Sequence, residues 1–114
     1  MAEKYKIRIT RQARVHLQEI RDYIATTFLE PGTAKKMVQL LRSEIQSLSE
    51  MPQRIKTIEE EPWGSYGFRK IRVKNYYVYF WINEEKKQVQ IIAVIYVKRD
   101  QIRQLEKMVL EAEE

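Results

Sequence analysis

Lysine and arginine are the residues of this sequence best suited to chemistry, and they are concentrated in its second half. Between residues 69 and 103, nine of them accompany only three acids, and the whole chain has a net charge of +5. Such a cluster can hold a phosphate backbone, and an arginine can stabilise charge that develops on a phosphoryl group. The candidates for binding a target or a nucleic acid are Arg69, Lys70, Arg72, Lys74, Lys98, Arg99 and Arg103. The alternative is the ordinary solvated surface of a basic protein.

Other kinds of catalytic site have little support in the sequence. The chain has no Cys, which excludes a thiol nucleophile and a cysteine-based zinc site. Its one His, His16, has no second His or carboxylate pair near it, so we expect a surface or structural role. The residues 59–61 are consecutive glutamates in a loop, where carboxylates are more often solvated than metal-bound. Glycine-rich phosphate-binding patterns are absent, and we expect no cofactor and no metal.

An aromatic run, YYVYFW, offers a second candidate surface. Alternation along a strand places Tyr77, Tyr79 and Trp81 on one side. The other side has Tyr76, Val78, Phe80 and Ile82. One side must pack against helices. The opposite side is either further core or a stacking surface for nucleic-acid bases, since aromatic rings accept any base.

The first half of the chain predicts one strand and two helices. KYKIRIT alternates apolar and charged residues, as a half-buried strand does. Thr10 is a helix N-cap, and apolar residues at helical spacing predict a helix from Thr10 to about Phe28. LEPGT ends it, and a second helix begins at Pro31 or Thr33 and ends before Pro52. The two apolar stripes are Ala13, Leu17, Ile20, Ile24 and Phe28, then Ala34, Met37, Val38, Leu41, Ile45 and Leu48.

The second half predicts three strands and a short helix. FRKIRV and YYVYFWI flank Lys74-Asn75, as the two strands of a β-hairpin do. VQIIAVIYV is apolar on both faces, so we expect an interior strand that is covered on both sides. Asp100 then caps a C-terminal helix, whose apolar residues are Ile102, Leu105, Met108 and Val109.

This order of elements, β-α-α-β-β-β-α, predicts an α+β fold. A small antiparallel-rich sheet is covered by an α-helical hairpin, and a short C-terminal helix follows. Lys98 and Arg99 end the interior strand beside the hairpin that carries Lys70 and Arg72, so distant segments are expected to form one basic surface. The length predicts a single domain over residues 1–114. The start has no signal-peptide core and no stretch is long enough for a membrane span, so we expect a cytoplasmic protein without membrane contact.

Several segments together resemble the RelE/ParE superfamily of bacterial type II toxins, which includes plasmid stabilisation proteins. YKIRITRQARVHLQEIRDYI is similar to the first strand and helix of that family, and MPQR to its exit from the second helix. GFRKIRVKNYYVYFWINEE followed by VQIIAVIYVKRD resembles its strand-hairpin-strand signature and carries most of the likeness. Arg69, Arg99 and Asp100 match positions common to both branches, and FRKIRVKNY is closer to the ParE side.

The resemblance implies a growth-inhibiting toxin that an acidic antitoxin protein covers and silences. One branch of the superfamily cleaves mRNA on the ribosome, and the ParE-like branch poisons DNA gyrase. If the protein is an enzyme, it is a metal-independent endoribonuclease, with Arg99 and Tyr77 as catalytic candidates. The ribonuclease branch usually carries a Tyr or a His-Tyr pair near its C-terminus. The tail after Arg99 has neither, so gyrase is the favoured target.

Two other interpretations stay open. Three strands and a helix are also the ending of the double-stranded RNA-binding domain, which would make this chain a non-toxic nucleic-acid-binding module. That module has no counterpart to the helical hairpin. A toxin fold that has lost its toxicity and acts as a regulator is the remaining interpretation.

Overall fold

The computed structural model describes residues 4–28 and 31–108, and in them the predicted order of elements is confirmed. The helices and strands are β1 (Lys6–Ile9), α1 (Arg11–Phe28), α2 (Pro31–Gln46), β2 (Arg69–Val73), β3 (Tyr76–Asn83), β4 (Gln88–Tyr96) and α3 (Gln101–Lys107). Two 3₁₀ turns, Ser47–Ser49 and Pro52–Arg54, follow α2. The predicted packing of Phe28 and Val109 lies outside the described side chains.

The four strands form one sheet in the order β1-β4-β3-β2. The strands β2, β3 and β4 are successive antiparallel neighbours, as predicted. β1 pairs in parallel with the other side of β4, and the sequence patterns do not specify this pairing. β4 is therefore interior, and its residues 91–95 are at most 6 % exposed. The prediction of an interior strand that is covered on both faces is confirmed. The predicted α+β fold is also confirmed.

The helical hairpin covers one face of the sheet. The apolar stripes of α1 and α2 pack there against Val78, Phe80 and Ile82 of β3 and against the inward residues of β4. Burial of these stripes removes the apolar side of both helices from water, which is the main source of their stability. In α2, Leu40 packs against this core in place of the predicted Val38.

The opposite face of the sheet carries a second core. Tyr79 is fully buried there among Ile58, Phe68 and Leu105, which come from the loop before β2 and from α3. Tyr77 and Trp81 lie partly buried at the margin of this core. The alternation predicted for the aromatic run is confirmed, and its second side is core rather than an open stacking surface.

A β-bulge changes which residues of β4 face each of the two cores. The register shifts from Tyr79 opposite Ala93 to Phe80 opposite Ile91, so Ile92 is an extra residue in β4. Because of this extra residue, Ile92 and Ala93 both belong to the second core, while Ile91 on one side belongs to the first. Strict alternation would have placed either Ile92 or Ala93 on the face of the sheet that the helices cover.

The first turn of α1 covers the edge of β4 where β1 ends. The Thr10 hydroxyl donates to the carbonyl of Ile91 at 2.8 Å and accepts from the backbone N–H of Ala13 at 3.2 Å, so its predicted capping role is confirmed. Gln12 Nε2 donates to the carbonyl of Ile92 at 2.8 Å. The backbone N–H of Thr10 also donates to the carbonyl of Ile91 at 3.1 Å, so the start of α1 supplies hydrogen bonds to β4 beyond the end of β1.

His16 continues the same pattern one turn later. Its Nδ1 accepts a hydrogen bond from the backbone N–H of Val94 at 3.1 Å. Burial lowers the pKa of His16, although the Glu19 carboxylate acts in the opposite direction. The ring therefore helps to hold α1 on β4, which agrees with the structural role expected for it.

The glutamate-rich loop before β2 is compact. Glu61 accepts from both the hydroxyl and the backbone N–H of Ser65, at 2.6 Å and 2.7 Å, and these hydrogen bonds lower the pKa of Glu61. A Cβ atom on Gly64 would lie 2.2 Å from the carbonyl oxygen of Ile58, so only glycine fits at that position.

Candidate target-binding surface

Two turns meet at one end of the sheet and bring cations from distant parts of the chain together. The β2–β3 turn has Lys74 in the left-handed conformation, with φ of 55°. The backbone N–H of Val97, just after β4, donates to the carbonyl of Asn75 in that turn at 2.9 Å. Arg72 Nε donates to the carbonyl of Lys74 at 3.0 Å. The β2–β3 turn and the segment after β4 therefore lie side by side, as predicted.

The turn between β4 and α3 is fixed by Gln101, a residue that no pattern in the sequence marks as functional. Its Nε2 donates to the carbonyls of Arg99 at 2.7 Å and Tyr96 at 3.0 Å. Its Oε1 accepts from the hydroxyl of the buried Tyr79 at 2.8 Å. One side chain thus joins the second core to the turn that presents Lys98 and Arg99.

Asp100 caps α3 as predicted. It has an extended backbone, and its carboxylate accepts from the backbone N–H of Arg103 at 3.2 Å. The backbone N–H of Arg99 donates to the carbonyl of Tyr96 at 3.0 Å. The cap and this bond end β4 sharply and start α3, so that Lys98 and Arg99 are exposed between them.

Five of the predicted cations form what we call the basic end: Arg72, Lys74, Lys98, Arg99 and Arg103. All five are exposed, and none pairs with a carboxylate in the part of the chain that the structure describes. Five exposed cations without a carboxylate partner in the described ranges, beside the single acid Asp100, favour an anionic partner. The basic end is therefore better suited to bind an external anion than to stabilise the fold.

The other two predicted cations are committed to contacts inside the molecule. Lys70 Nζ lies 3.7 Å from a carboxylate oxygen of Glu60 and 4.2 Å from the ring centre of Tyr77. Arg69 donates to the backbone carbonyl of Ile55 and, at 3.5 Å, to that of Gln53. Its side chain holds the segment before β2 against the sheet edge. The seven candidates therefore fall into two groups with different surroundings.

The two catalytic candidates are not joined in a visible acid–base arrangement. Arg99 makes no side-chain hydrogen bond to any residue in the described ranges. Tyr77 is partly buried and has Lys70 over its ring. Its neighbour Tyr79 is engaged by Gln101, and burial raises the pKa of Tyr79, so this phenol stays protonated and gives up its proton less readily.

Metal and membrane sites find no support in the described ranges. Residues 4–28 and 31–108 contain no group of three His, Asp or Glu side chains that is arranged to hold a metal ion. No helix within those ranges is both long and apolar enough to cross a membrane.

The comparison with protein families identifies the class of this chain. The family described as "ParE toxin of type II toxin-antitoxin system, parDE" matches residues 7–101. This range runs from β1 to the first residue of α3 and includes most of the basic end. The chain therefore belongs to the family of ParE toxins of type II toxin–antitoxin systems, and the resemblance predicted from its sequence is confirmed.

Solved structures with the same fold include toxins of both branches. The chromosomal ParDE toxin–antitoxin system from P. aeruginosa has a TM-score of 0.70 at 21 % identity, covering 85 % of this chain and 100 % of that chain. The RelBE2 toxin–antitoxin complex from Mycobacterium tuberculosis has a TM-score of 0.54 at 21 % identity, with 82 % and 98 % covered. A mutant of E. coli toxin RelE in the free state has a TM-score of 0.58 at 18 % identity, with 96 % and 100 % covered. At these identities the likeness shows the fold. No curated protein sequence matches the chain.

Proposed function

We propose that this protein inhibits bacterial growth in the cytoplasm by acting on DNA gyrase, through the basic end. The observation that carries the proposal is the set of five exposed cations without carboxylate partners in the described ranges, in a chain of the ParE family. Gyrase works on DNA, whose phosphates such a surface can contact while the toxin binds the enzyme.

Cleavage of mRNA is the second candidate function, and the fold shared with RelE and RelBE2 is the observation that favours it. A metal-independent ribonuclease needs a base and an acid near the scissile phosphate. Arg99 could stabilise the phosphoryl charge. The hydroxyl of Tyr79 is hydrogen-bonded to Gln101, and His16 is hydrogen-bonded to Val94, so neither is placed for the proton transfers.

One pair of assays separates the two functions. Purified protein is added to gyrase with supercoiled plasmid, and separately to translating ribosomes. The proposal predicts linear DNA that is released after protease treatment, together with intact mRNA. Codon-spaced cuts in mRNA without linear DNA would establish the ribonuclease instead.

Substitution of Arg99 tests whether the basic end carries this activity. Arg99→Glu should abolish the linear DNA while the protein keeps its thermal stability, since the Arg99 side chain has no partner in the described part of the fold. Arg42 on α2 is a matched control, because it is also exposed and without such a partner. Arg42→Glu should leave the activity in place. Equal loss in both variants would refute a specific role for the basic end.

The partner that silences the toxin is proposed to be an acidic, flexible antitoxin that folds on binding and covers the basic end. Co-expression with the product of an adjacent short acidic reading frame should restore growth and give a stable complex at low salt. A complex that forms equally well with Arg99→Glu would place the antitoxin elsewhere on the surface.

A further inference from the structure

Three tyrosines gather beside the basic end, on the helical side of the sheet. Tyr76 and Tyr96 are directly opposite each other in β3 and β4, and their ring centres are 5.9 Å apart in an edge-to-face arrangement. Tyr23 of α1 lies near them, because α1 follows β4: Gln12 bonds to Ile92 and His16 to Val94, so the next turns of the helix reach the end of β4. Burial raises the pKa of Tyr76, and the phenols of Tyr23 and Tyr96 raise it further. We call these three residues the tyrosine cluster. Tyr23 is 63 % exposed and Tyr96 is 39 % exposed.

The hydroxyls of this cluster are not used by the fold. Tyr5 and Tyr79 show what a structural tyrosine looks like here, since their hydroxyls bond to Glu84 and Gln101 at 3.1 Å and 2.8 Å. By contrast, none of the three cluster hydroxyls makes a hydrogen bond to another residue in the described ranges. Tyr23 therefore presents a largely open ring to solvent, and Tyr96 presents one that is partly open and packed edge-on against Tyr76.

Lysines lie in the two turns next to the cluster, Lys74 before β3 and Lys98 after β4. Lys74 precedes Tyr76 by two residues and Lys98 follows Tyr96 by two residues, and the Val97–Asn75 hydrogen bond of 2.9 Å holds these segments together. The partner that fits is anionic and also presents flat apolar rings. A duplex offers phosphates but keeps its bases stacked inside, and a chain of carboxylates alone offers charge without rings. A single nucleic-acid strand offers both.

We propose that the tyrosine cluster and its flanking lysines bind single-stranded nucleic acid, with bases stacked on Tyr96 and Tyr23 and phosphates near Lys74 and Lys98. This site does not depend on gyrase being the target. Stacking of a base on an aromatic ring contributes about 1–3 kcal/mol, so loss of one ring should weaken binding roughly 5- to 150-fold. Each lost lysine contact should lower the salt dependence by about 0.7 in log–log slope.

Fluorescence anisotropy with a labelled oligothymidine of about twelve nucleotides tests the site, because single-strand sites commonly span about 4–16 nucleotides. The same strand annealed to its complement is titrated in parallel, and so is oligouridine of equal length. The single strand should bind more tightly than the duplex. A preference for thymidine or for uridine supports the proposal equally and identifies DNA or RNA as the natural ligand.

The variants separate stacking from simple charge attraction. Tyr96→Ala and Tyr23→Ala should each weaken single-strand binding about ten-fold, and Tyr96→Phe should restore it because the ring is kept. Tyr66 is the matched control, since it is also 63 % exposed and its hydroxyl is also unbonded within the described ranges, but it lies on the glutamate-rich loop. Tyr66→Ala should change the affinity by less than about two-fold.

Three results would overturn the proposal. The first is duplex binding as tight as single-strand binding. The second is equal weakening by Tyr66→Ala and Tyr96→Ala. The third is binding of poly-glutamate of matched charge with the same affinity and the same sensitivity to Tyr96→Ala, which would make the surface a site for an acidic protein. Thermal unfolding of each variant shows whether a loss of binding is caused by misfolding. Tyr23→Ala is informative even if Tyr96→Ala is unstable, because Tyr23 stacks on no described aromatic ring.

Discussion

Replacement of Gln101 by glutamate should release the turn that presents Lys98 and Arg99. The substitution keeps an oxygen that can accept from the hydroxyl of Tyr79. It replaces the amide donor, however, whose Nε2 lies 2.7 Å from the carbonyl of Arg99 and 3.0 Å from that of Tyr96. A carboxylate oxygen at this place cannot donate to either carbonyl. Each lost hydrogen bond contributes about 0.5–1.5 kcal/mol, so two of them amount to about 1–3 kcal/mol of local stability.

Hydrogen–deuterium exchange measures this loss at the turn itself. The amide of Arg99 is a direct reporter, because it donates to the carbonyl of Tyr96 at 3.0 Å. A change of about 1.4 kcal/mol is ten-fold in an equilibrium constant, so residues 97–100 should exchange about ten-fold faster. Amides in the middle of β4 should keep their protection, since the sheet is not altered.

Two matched variants isolate the cause. Gln104→Glu adds the same charge further along α3, at a side chain without a hydrogen bond to any described residue, and should leave the turn unchanged. Tyr79→Phe removes only the bond between Tyr79 and Gln101, and should lower the free energy of unfolding by about 1 kcal/mol with the turn still protected. Equal exchange of the turn in Gln101→Glu and Gln104→Glu would refute the role of Gln101.

Further predictions concern pH and backbone fit. Stability should be fully present above about pH 6.5 and fall as the pH drops below it, because burial lowers the pKa of His16 and the unfolded chain takes up the proton first. Urea unfolding at several pH values should show this loss of stability in the wild type. It should not appear in His16→Asn, whose amide oxygen can replace Nδ1 as the hydrogen-bond acceptor. Identical pH profiles for the two proteins would contradict the prediction. Gly64→Ala should lower the free energy of unfolding by about 1–3 kcal/mol, because its Cβ would meet Ile58. Gly32→Ala in α2 should raise the free energy of unfolding by about 0.5–1 kcal/mol, because a Cβ atom there would have no other atom within 4 Å. Thermal unfolding in which Gly64→Ala is the more stable of the two variants would contradict both predictions.

Local patterns in the sequence predict most of the elements because they depend on neighbouring residues. The caps at Thr10 and Asp100 are such cases, since each side chain bonds to a backbone N–H three residues ahead. The hairpin at Lys74-Asn75 is another, and its turn meets the segment that follows β4, as the sequence predicts.

Contacts between distant segments are what the sequence does not specify. The parallel pairing of β1 with β4 joins residues about eighty positions apart, and no periodicity encodes it. The separation of Lys70 from the basic end depends on Glu60, whose carboxylate is brought to it by the fold of a loop. Gln101 is a similar case: a glutamine after a helix cap is unremarkable until the structure places it between Tyr79 and the turn.

Colony counts after induced expression in a bacterium test most directly whether this chain is a toxin that acts through the basic end. Wild type and Arg42→Glu should both reduce colony formation by orders of magnitude, whereas Arg99→Glu at equal protein level should form colonies normally. A wild-type protein without effect on growth, or an Arg99→Glu variant as toxic as the wild type, would contradict this conclusion.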